Sequence, residues 1–162
     1  MHNFKRELYL KIIFIISFTA LVSAFFIEYA LGYQPCNLCL IERIPYGISI
    51  ILVITIFILK KNENFLIMLL ILTFIFSLAI SIYHFGIEQG FFQESSVCGT
   101  TNLGENITKE DLLKQLTEKT VSCKDVTFRI FGFSLTTFNM ILSLILIFVL
   151  LKIFQNYEKL KK

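Results

Sequence analysis

The chain has 162 residues, 56% of them hydrophobic, with 18 Phe, no Trp and a formal net charge of +3, and its mean hydropathy is +0.73. Soluble globular domains run nearer about 45–50% apolar, so this composition excludes an ordinary soluble domain and points to a protein that lives in lipid. The basic residues flank apolar stretches instead of forming a stripe, which argues against nucleic-acid binding and reads as membrane topology.

Leu8 to Leu31 is almost wholly apolar apart from Lys11 and Glu28, and Lys5 and Arg6 precede it. That is the length and flank of a spanning helix, placed at about residues 9–31. Val22-Ser23-Ala24 resembles a signal-peptide cleavage site, but apolar sequence continues well past it, which favours a retained span. A polar connection from Cys36 to Arg43 leads into the apolar run Ile44–Leu59. That run is short for a crossing, so the second span is placed at about 41–60, with Arg43 inside it and Pro45 as a local distortion. A tight turn then gives a third span at about 64–84.

From His84 to Arg129 the chain turns polar and glycine-containing, and it carries Cys98 and Cys123. Residues 85–129 read as a loop region outside the hydrocarbon. Within it Thr108, Glu110, Asp111 and the spacing of Leu112, Leu113 and Leu116 predict a short amphipathic helix on the membrane surface. A fourth span follows at about 130–154. The fold expected is therefore all-α and integral to the membrane: one domain over 1–162, an antiparallel bundle of four transmembrane helices with a cysteine-bearing outer loop.

Nine of the 15 Lys and Arg residues lie at the N-terminus, the 60–61 turn and the C-terminus, which share one side in a four-span topology. The positive-inside rule puts both termini in the cytoplasm and both cysteine-bearing connections outside. All four cysteines then face the oxidising side, where disulfides persist.

Four cysteines allow three pairings, and the spacing favours Cys36 with Cys39 and Cys98 with Cys123. Three uses remain open. Two inert disulfides could tie down the loops of a membrane scaffold; four thiolates could hold zinc, although only one half has short Cys-x-x-Cys spacing; or the pairs could be redox-active. A Cys-x-x-Cys bridge closes too small a loop to restrict the unfolded chain much, which weakens the structural reading. Arg43 stands four residues after Cys39, one helical turn away on the same face, where a cation and a helix N-terminus favour a thiolate. His84 lies at the same membrane depth, with Glu88 one turn beyond. A shallow pocket of thiolate, guanidinium and imidazole with apolar walls suits a flat carbonyl compound dissolved in the bilayer, such as a quinone.

The run Pro35-Cys36-Asn37-Leu38-Cys39 followed by Glu42-Arg43, the run Tyr83-His84-Phe85-Gly86-Ile87-Glu88-Gln89-Gly90, the outer cysteine pair and the stretch Phe128–Leu135 with Asn139 together resemble the disulfide bond formation protein B (DsbB) family. The resemblance covers nearly the whole chain. It implies a quinone-dependent dithiol oxidase of the bacterial inner membrane, a multi-pass protein embedded in lipid that reoxidises a periplasmic DsbA-like, thioredoxin-fold partner. Cys98 would be attacked by the partner, with Cys123 as its internal mate; Cys36 would exchange with that pair, and Cys39 would face the quinone. Arg43, His84 and Glu42 would form the cofactor pocket for ubiquinone or menaquinone, with no resident metal. Thiolate attack on Cys98 would call for an exposed disulfide. Phe128 and Phe138 stand where relatives often carry Trp. Four-span relatives of vitamin K epoxide reductase carry their quinone-facing Cys-x-x-Cys in the last span, so the order of motifs here argues against that family.

Overall fold

A computed structural model describes residues 2–59, 62–94, 98, 122–124, 129–130 and 132–161. Four helices carry the fold: α1 (His2–Tyr29), α2 (Asn37–Leu59), α3 (Glu63–Glu88) and α4 (Leu135–Lys161). Each contains a segment long and apolar enough to cross a bilayer, namely Arg6–Tyr29, Asn37–Leu59, Glu63–Glu88 and Leu135–Gln155. The protein is an all-α membrane bundle with short connections between the first three helices. The amphipathic helix expected over 108–116 lies outside the described residues.

The outward faces carry large apolar residues such as Ile15, Phe18, Ile51, Ile58, Leu72 and Phe148, all exposed. That is the surface lipid requires, since an uncharged helix satisfies its backbone internally. Interior positions are of two kinds. Leu10, Ile13, Val53, Ile67, Phe74, Leu146 and Leu150 form an apolar cluster at the end where α1 and α3 begin. Nearer the middle, small hydroxyl residues let helices approach closely and bond across: Ser49 Oγ donates to Ser17 Oγ at 2.7 Å, and Ser77 and Ser143 meet at 3.0 Å. Helix α3 packs most extensively on α4, and α2 sits between α1 and α3. Arg6 and Glu63 pair at 2.6 Å and tie the starts of α1 and α3 together.

The opposite end of the bundle holds the cysteines. Helix α3 stops at Gly90, whose φ of +78° is costly for a residue with a Cβ. The chain then folds back, with Phe91 N–H donating to Gly86 O at 2.8 Å and the Phe92 ring stacking on Tyr83. A Cβ at Gly86 would collide with that ring. Just before α4, two short strands, β1 (Arg129–Ile130) and β2 (Phe133–Ser134), pair antiparallel with Arg129 opposite Ser134.

Candidate active site: two cysteine pairs beside a cavity

Cys36 is the residue immediately before α2 and acts as its cap. Its carbonyl accepts from Leu40 N–H at 3.2 Å, and its sulfur accepts the Cys39 backbone N–H at 3.3 Å. A helix start leaves its first N–H groups without intrahelical partners, and a sulfur anion at the cap satisfies one of them while facing the positive end of the helix dipole. Cys39, in the first turn, brings its own sulfur to 2.7 Å from that of Cys36. Pro45 lies fully buried inside α2, where it removes one backbone donor.

His84, near the end of α3 and 2% exposed, meets this pair from across the bundle. Its Nε2 is 3.5 Å from Cys36 Sγ, and its Nδ1 is 3.1 Å from Glu42 Oε1. Thr136, one residue into α4, places its hydroxyl 3.2 Å from Nδ1 and donates to Glu88 Oε1 at 2.7 Å. With Nδ1–H directed to the Glu42 carboxylate, Nε2 is left to take the Cys36 thiol proton or, once protonated, to donate to the thiolate. The hydrogen bond from the Cys39 thiol, followed by that of His84, holds the Cys36 thiol down at about 5 against the opposing effect of burial.

The thiolate-favouring contacts therefore converge on Cys36. Arg43 is engaged elsewhere: its guanidinium pairs with Glu28 of α1 and lies 5.2 Å over the Phe25 ring. Cys39, Arg43, Glu28, His84, Tyr46 and Phe138 all line one cavity of about 300 Å³. Its floor is fixed by Tyr46, which hydrogen-bonds to Asn139, itself donating to Ser81 Oγ at 2.8 Å.

Cys98 and Cys123 are joined in a disulfide, which leaves only two free thiols and so breaks up any four-thiolate zinc set. The disulfide is not exposed: Cys98 is 1% and Cys123 2% accessible. They pack with Cys36, Leu38 and Ile87 into one cluster on the ends of α2 and α3, and Cys123 lines the same cavity as the inner pair. The expectation of an open, accessible Cys98 fails because apolar sulfur finds a better contact on the helix ends than in water. Glu94 holds the Cys123 segment in place, accepting from Ser122 Oγ and, at 2.9 Å, from Lys124 N–H.

The structure thus brings Cys36, Cys39, Glu42 and His84 into direct contact, and places Arg43 and the outer disulfide around the same cavity. Phe128 lies outside the described residues. Thr136 and Tyr46 were missed by the sequence reading, and nothing in a Thr at a helix start or a Tyr inside an apolar span distinguishes them beforehand. Glu28 gave a usable signal, since an ionisable residue inside an apolar span is by default a functional candidate.

A 30% identical relative from Rickettsia prowazekii (strain Madrid E), described as "Uncharacterized protein RP370", aligns over 137 residues, 83% of this chain and 80% of its own length. No solved structure matches the chain. The family model described as "Disulfide bond formation protein DsbB" matches residues 6–153, a stretch that contains all four helical spans' apolar segments up to Ile153 and all four cysteines, and the chain belongs to that family.

Proposed function

We propose that this protein is a quinone-dependent dithiol oxidase of the bacterial inner membrane that reoxidises a periplasmic DsbA-like thioredoxin-fold protein. The observation that carries the reading is the packing of two cysteine pairs into one cluster beside a cavity lined by Cys39 and Arg43. An inert scaffold has no need to gather its two pairs into one cluster, whereas disulfide exchange needs them close. The clustering of basic residues at 5–11, 60–61 and 152–162 supports cytoplasmic termini and periplasmic cysteines.

In this reading a thiolate of the partner attacks Cys98, and Cys123 leaves as thiolate. A second partner thiolate closes the partner's disulfide and leaves Cys98 and Cys123 reduced. When the inner pair is in its disulfide form, a thiolate of the outer pair attacks Cys36, the Cys36–Cys39 bond breaks and Cys39 leaves as thiolate. The second outer thiolate then displaces Cys36 as the outer disulfide re-forms, so that two electrons have moved to the inner pair. The helix start and His84 stabilise Cys36 as thiolate, and His84 Nε2 is placed to hold the proton that Cys36 gives up. The cavity fits a quinone ring: its walls are largely apolar, and Arg43, with His84 and Glu42, supplies the polar side that a ring oxygen needs. A quinone held there, ubiquinone or menaquinone, supplies the acceptor for the electron pair and two protons.

Purified protein supplied with quinone should oxidise a reduced DsbA-like partner catalytically, and Cys98→Ser should abolish turnover. Undiminished turnover by Cys98→Ser would remove the outer pair from the electron path.

A further inference from the structure

Besides their parts in disulfide exchange, the reduced inner pair and His84 form a set of metal-type donors. The sulfurs of Cys36 and Cys39 and a ring nitrogen of His84 lie within 4.8 Å of one another. The 3.5 Å separation of Cys36 Sγ and His84 Nε2 equals the edge of a tetrahedron with a zinc-type cation at its centre, about 3.5 Å for metal–sulfur near 2.3 Å and metal–nitrogen near 2.0 Å. The 2.7 Å between the two sulfurs is shorter than the corresponding sulfur–sulfur edge of about 3.8 Å. A side-chain rotation of Cys39 of about 1 Å closes that difference.

The surroundings of the histidine point the same way. A metal-bound imidazole ordinarily donates its second N–H to a carboxylate, which fixes the tautomer and makes the ligating nitrogen more basic. His84 is held this way, with Nδ1 on Glu42 Oε1 at 3.1 Å and Nε2 turned to the sulfurs. Two thiolates and one imidazole are a soft set that selects zinc-like cations over magnesium or calcium. All three residues line the cavity, so a small cation has a route in and a water can complete the coordination.

We propose that the reduced Cys36–Cys39 pair and His84 bind one thiophilic divalent cation of the zinc type, and that its occupancy locks the pair reduced and stops the protein. Binding is not a redox step: the cation replaces whatever protons the two thiols still carry and releases them to solvent, and both sulfurs stay at thiolate oxidation level. Oxidation of the pair to its disulfide removes two of the three ligands and expels the cation. The inhibitory consequence rests on the quinone-relay reading, whereas binding itself does not.

The experiment uses full-length protein in detergent, reduced with a phosphine, freed of reductant under nitrogen and titrated with Co2+. We expect one equivalent to bind, with the intense near-ultraviolet sulfur-to-cobalt absorption of thiolate ligation, and Zn2+ to bleach it. His84→Ala should weaken binding at least about tenfold, and Glu42→Gln, which keeps size and shape, by about 10-fold as a supporting residue. Oxidised protein should bind none. No thiolate–cobalt absorption in reduced wild-type protein overturns the site, as does absorption that survives Cys36→Ser/Cys39→Ser. Equal affinity in wild type, His84→Ala and Glu42→Gln overturns the role of the histidine. Stoichiometric Zn2+ should then block reoxidation of the reduced pair by a soluble quinone analogue, and chelator should restore it. Reoxidation that proceeds unchanged with Zn2+ bound overturns the inhibitory role. If metal-free protein is not reoxidised at all, the relay reading fails while the cobalt titration still decides the site.

Discussion

Arg43 of α2 is bonded to Glu28 of α1, and the pair forms part of the wall of the cavity beside Cys39. A guanidinium presents its donors in a flat fork, so one edge can rest on a carboxylate while the other stays available. Phe25, whose ring lies 5.2 Å below the guanidinium carbon, limits its remaining freedom. Glu28 therefore fixes where the arginine points.

Arg43→Ala should raise the apparent quinone KM by about tenfold or more, the equivalent of one lost charge-assisted hydrogen bond of about 1.5–3 kcal/mol. It should leave the rate of thiol exchange with the partner nearly unchanged, because in the proposed relay that exchange takes place at Cys98 and Cys123 and Arg43 lies beside the inner pair. Glu28→Gln keeps a hydrogen bond to the guanidinium and should produce a smaller rise in KM. Steady-state kinetics with varied quinone and, separately, varied partner separate the two. An unchanged quinone KM in Arg43→Ala would take the arginine out of the pocket.

The pH dependence of the inner pair follows from the depressed Cys36 thiol. Its folded-state value of about 5 lies below the ordinary 9.0, so the thiolate persists as pH falls from 9 and is lost only as pH drops through about 5. In reduced protein, the rate of iodoacetamide attachment at Cys36, followed by peptide mapping, should be flat from about pH 6.5 to 8.5. Below about 5 it should fall close to tenfold per unit. His84→Ala removes one of the contacts that favour the anion, so its midpoint should move up. A midpoint near that of a free thiol in the wild-type protein would show that the cap and His84 contacts do not act on Cys36.

Much of this architecture is legible in the sequence because its signals are local. Three apolar runs of spanning length, and a shorter one that reaches it once extended back to about residue 41, announce the bundle, and the Cys-x-x-Cys spacing announces a sulfur pair at the start of a helix. What is not legible depends on partners far away in the chain. The one-turn offset from Cys39 to Arg43 correctly puts them on one helix face, but the sequence cannot say that Glu28, on another helix, takes the guanidinium. Nor does it reveal that Cys36 caps α2, because that depends on which residue leaves helical geometry first. The burial of Cys98 and Cys123 is the clearest example: a polar, glycine-containing loop suggests exposure, and only packing against Leu38 and Ile87 reverses it.

The outer disulfide's burial makes its reactivity depend on a clamp. Glu94 accepts hydrogen bonds from the Ser122 hydroxyl and the Lys124 backbone and so holds Cys123 against the helix ends. Bonds to a charged group contribute about 1.5–3 kcal/mol each, so releasing even one shifts the balance between covered and uncovered disulfide about tenfold or more. Glu94→Ala, which removes both bonds, should accordingly speed reduction of the Cys98–Cys123 bond by a bulky hydrophilic thiol at least about tenfold. The Cys36 alkylation profile should be untouched, since Glu94 does not reach the inner pair's hydrogen bonds. Glu94→Gln, which retains an accepting oxygen, should fall between the two. Reduction rates can be followed by gel shift after trapping free thiols with a maleimide. Equal rates in wild type and Glu94→Ala would mean that the apolar contacts of the disulfide, and not the clamp, keep it covered.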